Sequence, residues 1–106
     1  MREPASPTPT PAPKLPFETV LTIISNPTRW RILRELAGGS LMNSELATRC
    51  DCAPDAMSKQ LAVLRKAGIV INPRGRLFEL APQFLAAKDQ RLLDLGYCTL
   101  RLDTAR

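Results

Sequence analysis

Apolar positions along this chain follow a helical rhythm up to about residue 68 and a strand rhythm just beyond it. Phe17, Val20, Leu21 and Ile24 stand at i, i+3, i+4 and i+7, which predicts a short helix with one buried face. Asn26-Pro27 breaks it. Pro27 then suits the first turn of a second helix, where its missing N–H has no intrahelical partner to lose, and Ile32, Leu33 and Leu36 form the buried side. Gly38-Gly39 ends that helix, because glycine tolerates the left-handed conformation past a helix C-terminus. A third helix is expected over roughly 43–50, with Leu46 and Ala47 inward and Asn43 and Ser44 suited to its start. Asp51-Cys52-Ala53 reads as a turn. Pro54 and Asp55 open a fourth helix in which Met57, Leu61 and Leu64 repeat at i, i+4 and i+7. That leaves Asp55, Ser58, Lys59, Ala62, Arg65 and Lys66 outward, and Gly68 terminates the helix.

The next stretch, IVINPRGRLFEL, predicts a hairpin with strands of about 69–72 and 76–80 and with Arg74 and Arg76 at its tip. Pro82 is expected to open a long helix to about residue 102. On it Leu85, Leu92, Leu95 and Leu102 fall on one stripe at seven- and three-residue steps. A domain this small offers that helix little to pack against. The stripe, together with Phe17, Val20 and Leu21 of the first helix, is therefore read as a dimer interface, with Gly96 permitting close approach. Packing of the stripe on the first helix of the same chain is a compatible alternative. The predicted fold class is mainly α with a small β-hairpin, a dimeric winged helix-turn-helix.

The 106 residues allow one domain, placed at 17–103. Residues 1–16 hold six of the ten prolines and read as a disordered or polyproline-like arm. Arg2 and Lys14 could touch a phosphate backbone, but a solvated tail is the plainer reading. The start MREPASPTPT has no apolar core of a secretory signal, and no stretch has the length of a membrane span. A cytoplasmic protein with free thiols and no membrane association is expected.

Fifteen Lys and Arg against ten acids give a net charge of +5, a mild excess. Its placement says more. Residues 49–76 carry Arg49, Lys59, Arg65, Lys66, Arg74 and Arg76 against Asp51 and Asp55, a net of +4, whereas residues 82–103 are balanced. The excess gathers on the fourth helix and the hairpin, where double-stranded DNA would lie against a helix-turn-helix and its wing. The blander alternative is that these charges solvate a helix face. The candidate DNA-binding residues are Asp55, Ala56, Ser58, Lys59, Gln60, Arg74 and Arg76. Gln60 suits an adenine edge, Ser58 a base or a phosphate, and Lys59 a guanine or a phosphate. Asp55 suits cytosine or the N-terminus of its own helix. Arg74 and Arg76 would add affinity independent of sequence.

The run from Asn26 to Leu80 resembles the ArsR (SmtB/ArsR) family of dimeric bacterial repressors. The family's D-P-T-R-hydrophobic-x-I-L stands here as Asn26-Pro27-Thr28-Arg29-Trp30-Arg31-Ile32-Leu33, and its E-L-A as Glu45-Leu46-Ala47. Its S-x-H-L-x-x-L-x-x-A-G-L-V stands as the run from Ser58 to Val70, with Gln60 in the histidine's place. The resemblance spans about residues 17–102. It implies a homodimer joined by the first and last helices, and binding to a palindromic operator that an inducer relieves. It carries over no metal site. The positions of the family's Cys-x-Cys before Glu-Leu hold Met42 and Ser44, and those of its recognition-helix cysteines hold Ala62 and Ala67. The zinc and nickel sensors of the family use histidines, and this chain has none.

Cys50, Cys52 and Cys98 admit two readings. They could form a three-thiolate site for As(III), Cd(II) or Pb(II), or a redox pair. Alternatively, Cys50 and Cys52 fill core positions that relatives give to Leu or Val, as small hydrophobes. An enzyme is not expected, since histidine, a Gly-rich phosphate loop and suitably placed paired carboxylates are lacking. The alternative from another class is a winged-helix protein-interaction module without DNA binding, which would have no use for Lys59, Gln60, Arg74 and Arg76 together.

Overall fold

The computed structural model describes residues 15–86, 89–96 and 98–102. Most of the proline-rich arm, with Arg2 and Lys14, lies outside the described residues, as do Lys88 and Asp103. The arm's last two residues belong to the domain. Pro16 stands at the N-cap of helix α1 (Phe17–Ile24). Leu15, one residue before it, is buried in the same cluster as Val20. Apolar residues on either side of a helix start commonly pair this way and fix the angle at which the chain enters.

Asn26 does more than break α1. Its Oδ1 accepts from the backbone N–H groups of Thr28 (2.9 Å) and Arg29 (3.1 Å), capping helix α2 (Pro27–Leu36). A cap of this kind is worth ~1 kcal/mol against alanine. After α2 comes a two-residue strand, β1 (Leu41–Met42), which leads directly into helix α3 (Asn43–Arg49). The N-cap of α3 is Met42, one residue earlier than Asn43. Its backbone N–H donates to Glu45 Oε1 at 2.8 Å, so Glu45 supplies the cap from inside the helix.

The turn to helix α4 (Pro54–Ala67) depends on Asp51, whose φ is 56°. Asp tolerates this left-handed conformation better than most residues. It lets the N–H of Cys52 reach back to the carbonyl of Ala47 at 2.9 Å, closing the end of α3. Gly68, with φ 85°, does the same for α4, and the Ile69 N–H reaches Leu64. The hairpin follows as expected, with β2 (Val70–Ile71) antiparallel to β3 (Leu77–Leu80) and Gly75 N–H bonded to the Asn72 carbonyl at 2.9 Å across the tip. β1 joins the other edge of β3, pairing Leu41 with Phe78, so the wing is a three-stranded sheet in the order β1-β3-β2.

The chain departs from expectation after Ala81. Pro82 opens only a three-residue 3-10 turn, Pro82–Phe84. A second antiparallel sheet follows, formed by β4 (Leu85–Ala86), β5 (Asp89–Asp94) and β6 (Thr99–Arg101) in that order. The long helix over 82–102 is therefore wrong, and with it the helical leucine stripe. Leu93 and Leu95 are buried on either side of half-buried Asp94, and buried Leu100 and Leu102 flank exposed Arg101. That is a period of two, with Leu93 opposite Leu100 and Asp94 opposite Thr99. The chain reverses at Gly96, whose N–H is held by Asp94 Oδ1 at 2.9 Å. Both β-sheets and the helices contribute to one buried cluster that runs from Leu15 to Leu102. Among the described residues no helix is long and apolar enough to cross a membrane.

The expected dimer residues divide accordingly. Val20, Leu95 and Leu102 lie in the chain's own core, at 2%, 0% and 1% exposure, so the chain itself already covers them. Leu85 and Leu92 are half-buried. Phe17 and Leu21 are exposed on α1, together with Ile24.

Candidate nucleic-acid interface

Helices α3 and α4 and the turn between them hold the candidate reading face in place. Met57, Leu61 and Leu64 bury one side of α4 completely, fixing which residues face out. Asp55, Ala56, Ser58 and Lys59 are exposed in its N-terminal half, and Arg65 and Lys66 in its last turn. Pro54 occupies the first turn and Ala53 the N-cap, without a side-chain hydrogen bond. Asp55 is thus the acid of the first turn, where the partial positive charge of the helix end favours it. Arg74 and Arg76 are exposed at the tip of the wing, on either side of Gly75.

Two polar residues of this face are tied to neighbouring elements. Ser58 Oγ accepts from Asn43 Nδ2 at 2.8 Å, which links the start of α3 to α4. Gln60 is half-buried, and its Oε1 accepts from Arg29 Nε on α2 at 2.8 Å. The same guanidinium donates through Nη1 to the Thr22 carbonyl on α1 at 2.7 Å. Arg29 therefore clamps three helices at one point. The sequence offered Gln60 as a candidate DNA-binding residue and gave no hint of the clamp beyond Arg29 itself, an arginine beside a helix start and next to the apolar Trp30.

Arg49, counted with the basic cluster, pairs with Glu35 at 3.2 Å. Both side chains are partly exposed, so the pair contributes at most about 1 kcal/mol and partly neutralises Arg49. The free positive charge is correspondingly concentrated on α4 and the wing.

The cysteines sit as the core-filling reading expects for Cys50, which is 4% exposed and part of the central cluster. Burial pushes its thiol above the usual cysteine range, with Glu35 and Cys52 adding to the rise and Arg31 opposing it. A buried thiol kept protonated is a poor nucleophile and a poor metal ligand. Cys52 and Cys98 pack against the same core and are half-buried. Among the described residues no group of three or more His, Cys, Asp or Glu side chains is placed to hold a metal ion.

Comparison with known proteins agrees with this geometry. The profile of a helix-turn-helix domain family matches residues 24–71. Among curated protein sequences none matches. Among solved structures, the chain is similar to the transcriptional repressor BigR from Xylella fastidiosa, at 27% identity and a TM-score of 0.52 over 59% of this chain and 67% of that one. It is similar to a possible transcriptional regulator for arsenical resistance at 33% identity and a TM-score of 0.53, over 59% of this chain and 69% of that one. It is also similar to HlyU from Vibrio cholerae at 30% identity and a TM-score of 0.53, over 60% of this chain and 73% of that one. With the four helices, the capped turn and the three-stranded wing in place, the chain belongs to the ArsR/SmtB family of winged helix-turn-helix transcriptional regulators.

Proposed function

We infer that this regulator is a dimeric repressor that holds a palindromic operator through α4 and the wing, and that an inducer releases it. The observation that carries the reading is the exposed set Ser58, Lys59, Arg65 and Lys66 on α4, with Arg74 and Arg76 exposed on the following hairpin. A helix with one fully buried face and a polar, basic opposite face fits the major groove, and a basic hairpin tip fits the adjoining backbone. The name of one structural neighbour, a transcriptional repressor, supports the direction of regulation.

Dimerisation has a separate support. Phe17, Leu21 and Ile24 are 49%, 45% and 39% exposed and fall at i, i+4 and i+7 on α1. A row of large apolar side chains on one helix face suits burial against a second copy. The test is a gel shift with promoter DNA from the chain's own operon, alongside duplex of the same length and scrambled sequence. The reading expects a retarded complex with the promoter at protein concentrations where the scrambled duplex runs free. Equal affinity for both would contradict it.

A further inference from the structure

We propose that the recognition helix reads guanine rather than adenine, because Arg29 holds the Gln60 carbonyl and leaves its NH2 to donate beside a positive charge. The proposal rests on the DNA-binding reading above and specifies what that surface recognises.

An unconstrained glutamine suits adenine, since its carbonyl accepts from the base's N6 amino group while its NH2 donates to N7. Gln60 is constrained. Its Oε1 accepts from Arg29 Nε at 2.8 Å, and arginine can only donate, so the orientation of the amide is fixed by chemistry. Arg29 is fixed in turn by the Thr22 carbonyl at 2.7 Å and by its place in the capped first turn of α2. One of the two lone pairs of the carbonyl that would take the adenine amino group is already engaged in a charge-assisted bond, which fixes the direction in which the other points. The adjacent guanidinium also repels a base edge that presents N–H. The amide NH2 remains able to donate, and the same positive charge favours an edge rich in acceptors. In the major groove that edge is guanine, with O6 and N7.

Ser58 adds a donor beside Gln60, although its partner Asn43 does not force the direction of their bond as arginine does. Asn43 Nδ2 fills an acceptor position of its hydroxyl at 2.8 Å, leaving the hydroxyl proton to point elsewhere. Lys59 between them is exposed and donates only. Three consecutive residues of α4 thus present donors. The acid on this face, Asp55, lies one turn earlier and suits the amino group of cytosine, which belongs to the same base pair type. Arg29 touches no DNA in this scheme. It is a positioning residue that sets the specificity of Gln60 from behind.

The experiment is selection of bound duplexes from a randomised pool by the full chain, followed by affinity measurements on duplexes differing at single pairs. The wild type is expected to enrich guanine at one position per half-site whose preference disappears in Gln60→Ala. Gln60→Glu retains the bond to Arg29 but removes the donors, and is expected to lose the guanine preference without loss of thermal stability. Arg29→Met frees the Gln60 carbonyl and is expected to shift the guanine-to-adenine ratio at that position about tenfold toward adenine. Enrichment of adenine there by the wild type, or an unchanged preference in both Gln60→Glu and Arg29→Met, would overturn the proposal while leaving DNA binding intact. A pool with no enriched sequence at all would overturn the DNA-binding reading and this proposal with it.

Discussion

At the scale of single residues, Cys50 separates a packing role from a chemical one. It is buried in the central apolar cluster, and burial raises its thiol above the usual range. Iodoacetamide at neutral pH is therefore expected to label Cys52 and Cys98 in the folded chain well before Cys50, as peptide mass spectrometry would read. Labelling of Cys50 as fast as in denaturant would contradict the placement. The same shift has a consequence for stability. The folded state favours the neutral thiol, so the contribution is complete below the unfolded-chain value and is lost as pH rises through the higher folded value. The advantage of wild type over Cys50→Ala in urea midpoint is expected to shrink on moving from neutral to alkaline pH.

At the scale of elements, the first four helices and the hairpin were legible because each has its own punctuation. Asn26-Pro27, Pro54, Gly68 and the turn Asn72-Pro73-Arg74-Gly75 mark boundaries by backbone chemistry that tertiary packing has no reason to override. β1 was not legible, since two residues cannot display a period, and it exists only through its partner β3. The C-terminal sheet was misread for a different reason. Leu85, Leu92, Leu95 and Leu102 satisfy helical spacing, while Leu93, Leu95, Leu100 and Leu102 satisfy strand spacing, and the leucines common to both lists cannot discriminate. Leu93 could, because it lies off the helical stripe yet is fully buried. Leu93→Ala is accordingly expected to cost about 2–5 kcal/mol in chemical denaturation, and Leu92→Ala distinctly less. A helical seam would reverse that order. Of the reading face, Lys59 and the wing arginines were legible as exposed cations. The hydrogen bonds that hold Gln60 and Ser58 were not, because they come from Arg29 and Asn43, residues 31 and 15 positions away.

At the scale of the whole molecule, the C-terminal sheet folds back on the chain's own core instead of leaving it as a free helix. Among the described residues the exposed large apolar side chains are Phe17, Leu21 and Ile24 on α1, and the proposed dimer would bury them. Leu21→Glu is expected to shift sedimentation from dimer to monomer with little loss of thermal stability, because the residue is 45% exposed within the chain. A wild-type monomer at micromolar concentration would remove the basis for a two-fold operator. In the proposed complex α4 and the wing lie together on DNA, and salt dependence tests this most directly. Each phosphate contact adds about 0.9 to the magnitude of the slope of log affinity against log salt. For promoter duplex followed by fluorescence anisotropy, replacing Arg74 and Arg76 together by alanine is expected to weaken binding to all sequences and to lower that slope by about 2 per protomer. A double variant that binds with the slope of the wild type would contradict the placement of the wing on the backbone.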